Sequence, residues 1–228
     1  ATISGTALDL GGAAAYSIAV NPFTFNSKTV GPLAATLNIS APIQNGGIVK
    51  TGGGLLQLSG ANLFAGGVDV QNGGVIIGVG NTGSVGSVTN GPFGTGTLTL
   101  SGSNVTLTAD ATARTVINPV AFGNNAATIT LGNYLANTLN LSGAITWNTG
   151  TTGVSHTFVV NAETGGGFTI NAQSLDGVIT STGAGTGNKL VKQGIGTLAI
   201  TGANASSLYL DGSQAIKVSG GTLQFNSR

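Results

Sequence analysis

The 228-residue chain has 40 glycines, a single glutamate and only 6% charged residues; it is poor in helix formers, and its Thr, Val, Ile, Gly and Asn suit pleated strands and tight corners. A net charge of +1 leaves no basic field to draw nucleic acid or anionic lipid. The absence of cysteine excludes disulfides and thiolate metal sites, and hydrophobic residues at 40%, regularly alternating, argue against disorder. No apolar run approaches the about 18 residues of a membrane helix, and no charged segment followed by an apolar one opens the chain, so no membrane insertion is expected and the chain reads as a mature protein or a fragment.

Along the chain, SGTALDL at 4–10 and NPFTF at 21–25 are answered by SGSNVTL at 101–107 and NPVAF at 118–122, an offset of 97. TLNISAPIQ at 36–44 is answered by TLNLSGAIT at 138–146, an offset of 102. Residues 48–62, IVKTGGGLLQLSGAN, return at 190–204 as LVKQGIGTLAITGAN, and VDVQNGGVII returns in form as IKVSGGTLQF, with an offset of 142 for the first pair. These correspondences predict one domain over 1–228, built of unit one (1–100) and unit two (101–228), with an insertion at about 147–188.

Within the units Val68 and Val70, Leu98 and Leu100, Val105 and Leu107, Ile129 and Leu131, Leu139 and Leu141, and Leu198 and Ile200 alternate with smaller or polar residues. That period predicts strands with one buried face. Asn45-Gly46, Asn72-Gly73 and Asn90-Gly91 suit corners of positive φ, although a hairpin around Asn72-Gly73, and hence a meander or barrel, is the competing reading. Long-period repetition favours coils stacked on coils. The expected fold is all-β, a single-stranded parallel β-helix of roughly ten or more coils, at about 20 residues and about 4.8 Å per coil and about 50 Å long. Asn62 and Asn204, beside Gly60 and Gly202, hold equivalent corner positions and are expected to bond the backbone of the next coil as a structural ladder.

Groups able to do chemistry are few. His156 is the only histidine, and the acids are Asp9, Asp69, Asp110, Glu163, Asp176 and Asp211. His156 lies in VSHTFVV with no nucleophile-elbow motif in the chain, so an exposed or satisfied strand histidine is expected rather than a triad member. GVGNTG at 78–83 matches a dinucleotide fingerprint by chance, because no helix follows to receive a phosphate. No metal, cofactor or catalytic residue is expected. The insertion concentrates Trp147, His156, Glu163 and Asp176 and is the candidate recognition surface. Its plainer reading is two further coils, with 158–160, 168–170 and 178–180 as their strands.

The cassette pattern VKxGxGxLxLSGAN, followed by a strand of the form V..GG.L, resembles the autotransporter-associated β-strand repeat of bacterial surface and secreted proteins. The resemblance covers both cassettes and much of the sequence between them. It implies a parallel β-helix outside the cell, at the bacterial surface or secreted, and names no ligand. The expected function is a non-enzymatic structural rod. Both ends are built like interior coils, so head-to-tail association with other copies of the chain into a filament is expected. The alternatives are an adhesin that binds a cell-surface glycan, and a polysaccharide-active enzyme with paired carboxylates.

Overall fold

The computed structural model describes residues 1–12, 14–29, 34–123, 126–132, 138–148, 154–160, 172–175, 179–182, 189–201 and 215–225. Among them there is no helix. The strands form a parallel β-helix in which the chain passes in turn through three sheets from Arg114 on, while before it sheets 1 and 2 alternate and Leu8–Asp9 pairs with Ile43–Gln44 in a separate two-stranded parallel sheet. Sheet 1 has nine strands, Thr2–Ile3, Leu37–Ile39, Leu55–Leu58, Gly73–Ile77, Asn104–Ala109, Ala127–Leu131, Ser155–Val160, Lys189–Gln193 and Ile216–Val218. Sheet 2 runs from Ala15–Ala19 through Gly47–Thr51, Val68–Val70, Leu98–Leu100, Val120–Phe122 and Ile145–Asn148 to Ile179–Thr182. Sheet 3 holds Arg114–Val116, Leu139–Leu141, Ala172–Leu175, Thr197–Ile200 and Thr222–Phe225. A parallel pair needs a crossover, and here the crossover of each pair is the rest of a coil.

Because one coil follows the next in register, inward side chains form columns. Leu37, Leu56, Val75, Leu107, Leu131 and Val160 are directly in line in sheet 1, as are Val70, Leu100, Phe122 and Trp147 in sheet 2. Every coil thus covers the apolar face of its neighbours, the condition for a solenoid to be stable. The steps in that first column are 19, 19, 32, 24 and 29 residues. The expected period of about 20 residues therefore fits the coils around the first cassette, and other coils carry excursions. One is the antiparallel hairpin of Thr82–Ser84 with Ser87–Asn90, another that of Thr24–Phe25 with Lys28–Thr29. Among the described residues sheet 1 has nine strands, so its length is about 38 Å at strand spacing rather than about 50 Å.

Asn72-Gly73 is a corner and not a hairpin. Val68–Val70 pairs with strands of sheet 2 and Gly73–Ile77 with strands of sheet 1, so the two runs flank a bend without pairing. Gly73 has φ 69°, and a Cβ there would run into the carbonyl oxygens of Gly52 and Gly54. The insertion also differs from its plainer reading. Ser155–Val160, Ala172–Leu175 and Ile179–Thr182 join sheets 1, 3 and 2 in turn, which makes one coil where two were expected; residues 168–170 lie outside the described residues.

Leu198 is fully buried, and its position lies in register between residue 173 of the preceding coil and Leu223 of the next. Leu198→Ala is expected to cost about 2 to 5 kcal/mol, as core truncations do. Denaturant melts measure it, and an unchanged midpoint would place Leu198 on the wrong face.

Candidate functional site

The cassette has to turn the chain from one sheet into the next within three residues, 52–54 in its first copy and 194–196 in its second. Gly52 and Gly194 take φ 74° and 77° to do so, and the bend gathers carbonyl oxygens at one point. Lys50 fills that point in the first copy. Its Nζ donates to the carbonyls of Thr51 at 2.8 Å, Gly52 at 2.7 Å and Asn72 at 2.9 Å. In the second copy Lys192 donates to Gln193 at 2.6 Å, Gly194 at 2.9 Å and Gly220 at 3.2 Å. Both sets comprise the residue after the lysine, the glycine after that, and the corner residue of the following coil. An ammonium has three donors, and each of these is matched by a backbone carbonyl.

Both lysines are fully buried. Their stems stand in the apolar columns, Lys50 between Ile18 and Val70 and Lys192 between Phe158 and Val218, while the nitrogen reaches the corner. Burial pushes each pKa down to about 8, and the carbonyl acceptors favour the charged form. Each corner therefore holds an ammonium at neutral pH. Sequence reasoning missed this site because a net charge of +1 directs attention to no basic group, although a lysine at the same place in both cassettes is the visible signal.

A third copy of the pattern is also legible once the corner is known. G-x-G-x-L-x-L/I-S/T-G-x-N occurs at 52–62, 94–104 and 194–204. The strand after the glycines is Leu55–Leu58 in sheet 1, Leu98–Leu100 in sheet 2 and Thr197–Ile200 in sheet 3. One motif thus occupies all three faces. In the 94–104 copy Pro92 stands where the lysine would be, and the buried Asn118 of the next coil donates its amide to Gly94 O at 3.1 Å and Gly96 O at 2.8 Å. Asn118 in turn accepts from Asn81 Nδ2 at 2.7 Å.

Of the residues singled out in sequence, Asn62 is buried, accepts from Ile43 N at 2.8 Å and donates to Pro92 O at 2.8 Å, so it bonds the coils on either side of its own. A Cβ on Gly60 would meet Ala41 O at 2.6 Å, which is the close approach that reserves this place for glycine. Asn204, Gly202, Glu163 and Asp176 lie outside the described residues. Trp147 and His156 do not form a recognition surface. Their strands point them inward, into a cluster where Trp147 lies 4.9 Å from His156, 5.3 Å from Phe122 and 5.5 Å from Phe158, centroid to centroid. His156 is neither exposed nor satisfied: it is fully buried, and neither ring nitrogen has a hydrogen-bond partner. Burial pushes its pKa down to about 4, opposed by the nearby Ser155 backbone, which does not reach hydrogen-bond geometry.

The described acids are each engaged by their own neighbours. Asp9 accepts from Asn45 Nδ2 at 2.8 Å and Gly11 N at 2.7 Å, bonds that lower its pKa. Asp69 accepts from Ser101 and Gln71, and Asp110 pairs with Arg114 at 2.7 Å. Among the described residues no group of three His, Cys, Asp or Glu could hold a metal ion.

Fold and corners together define a single-chain parallel β-helix whose repeating element is a cation-closed or amide-closed corner. Segments 48–77, 93–112 and 190–225 match the passenger-associated-transport-repeat family. The three matches contain the three copies of the corner motif described above. No curated protein and no solved structure matches the chain.

The buried histidine makes a pH prediction whose sign is fixed. Its folded pKa of about 4 lies below the ordinary 6.5, so the fold keeps the neutral form and the unfolded chain takes up the proton first. Stability is complete above the ordinary value and falls as pH drops towards 4, by up to about 3 kcal/mol. Urea melts on both sides of this window measure the loss, and His156→Phe should flatten it.

Proposed function

We propose that this chain is a non-enzymatic structural rod of the bacterial exterior, a passenger-type segment that extends by stacking its last coil on the first coil of another copy. The observation that carries the reading is the in-register stacking of successive coils, which a further coil of the same register can continue. Ile3 and Tyr16 are about two-fifths exposed, at 41% and 40%, whereas their in-register neighbours Ile39 and Ile48 are buried. At the other end Ile216, Val218 and Phe225 are about half exposed, while Leu190, Lys192 and Ile200 beside them are buried.

The columns that are dry inside the rod are less covered at its first and last described coils. A coil of matching register would complete both. Such a contact joins two different surfaces and does not close on itself, so it generates a filament. The repeat family, one of autotransporter-associated proteins, supports a place outside the cell.

Light scattering over a wide concentration range, with negative-stain microscopy, tests the proposal. The expected result is rods many times the length of one chain that shorten on dilution. Val218→Asp should abolish them while leaving circular dichroism unchanged. A compact monomer at every concentration would defeat self-association and leave a rod segment without end-to-end contact.

A further inference from the structure

We propose that the cassette corner is a binding site for a primary ammonium ion, which Lys50 and Lys192 occupy from within the chain and which a free alkylammonium ion occupies once the lysine stem is shortened. The site is built twice, between sheets 2 and 1 around Lys50 and between sheets 1 and 3 around Lys192. The acceptors correspond residue for residue, and the six N–O distances run from 2.6 to 3.2 Å. Three carbonyls around one nitrogen suit the three donors of an ammonium; a guanidinium presents its donors as a flat fork and does not fit them.

The bends that carry the cage are tied to neighbouring coils by backbone bonds of their own. Thr51 O also accepts from Val20 N at 2.9 Å, Gly74 N donates to Gly54 O at 3.3 Å, and in the second corner Thr222 N donates to Gly196 O at 3.2 Å. The first of these bonds fixes one of the caging carbonyls directly, and the other two anchor the last residue of each bend to the following coil, whether or not the lysine side chain is present. The 94–104 corner gives separate support. It has no lysine, yet Gly94 and Gly96 draw the donors of a buried amide from Asn118, so the corner demands N–H groups from whatever source can deliver them. A small ion whose head carries the charge and whose tail refills the apolar column meets that demand. Lys→Ala deletes three carbons and the nitrogen, and n-propylammonium replaces those atoms.

The experiment is thermal melting of Lys192→Ala and Lys50→Ala in n-propylammonium chloride, with sodium chloride and n-propanol as controls. Each variant should melt below the native chain, and n-propylammonium should raise its melting temperature with the logarithmic concentration dependence of a ligand that binds only the folded state. The native chain and Lys192→Met should not respond. Equal shifts in variant and native chain, or an equal effect of n-propanol, would overturn the proposal.

Should the alanine variants fail to fold, the absence of cysteine from the chain allows Lys192→Cys to be alkylated selectively in denaturant. With 2-bromoethylamine the thiolate sulfur forms the new C–S bond, bromide leaves, the thiol proton passes to the buffer, and a lysine analogue of natural reach results. With 1-bromopropane the adduct has the same shape and no ammonium. Refolding to near-native melting by the aminoethyl adduct alone supports the site; equal melting of the two adducts overturns it.

Discussion

Everything in this molecule depends on turning a corner without stranding backbone polar groups. In the flat parts of a coil the carbonyl and amide of each residue pair with the coils above and below, as the parallel ladders show. At a corner the chain rotates away from the ladder, and carbonyls converge inside a wall from which water is excluded. A buried, unpaired polar group costs on the order of 1 to 3 kcal/mol, and a rod of many coils meets the problem at every bend. The chain answers with a donor placed in the core: an ammonium at 52–54 and 194–196, and an amide at 94–96.

A charge inside a solenoid is tolerable only under narrow conditions. Desolvating an ion costs several kcal/mol unless hydrogen bonds replace its water, and Lys50 and Lys192 each make three such bonds and, among the described residues, no ion pair. His156 is the opposite case in the same core. It lies on the column between Ala127 and Leu190 and finds aromatic rings instead of acceptors, so it stays neutral. The lysines hold two coils together, whereas the histidine fills space at the cost of sensitivity to acid.

The fold was legible in the sequence because its two periods are both written there. Alternation at Leu98 and Leu100, or Val105 and Leu107, marks the inward face, and these residues are buried. The recurring glycines mark the bends. Coil number was less legible, because hairpins such as that of Thr82–Ser84 with Ser87–Asn90 lengthen a coil without adding a layer. The inward direction of Trp147 and His156 was hidden for a different reason. Rare residues in an unusual segment suggest a surface, yet ITWN and SHTFVV are strands whose alternation continues the columns of Phe122 and Ile129. The lysine site was missed because a lone cation looks solvated until the converging carbonyls are seen.

The three copies of the motif lying on three different faces show what the repeat encodes. Were it a whole coil, its copies would recur at a constant phase around the rod. TLNIS at 36–40 enters sheet 1, however, and TLNLS at 138–142 enters sheet 3, and the lysine cassettes shift in the same sense, from sheet 2 to sheet 1 for the strand that carries the lysine. The conserved physical object is a bend with its closing donor, and a bend is much the same wherever in the coil it falls. Coil length is then free to vary, from 19 residues to 32 within one column, since the next bend needs only its own glycines and its own donor. A rod built in this way can take loops and hairpins without losing the stacked core, as the hairpin of Thr82–Ser84 with Ser87–Asn90 shows.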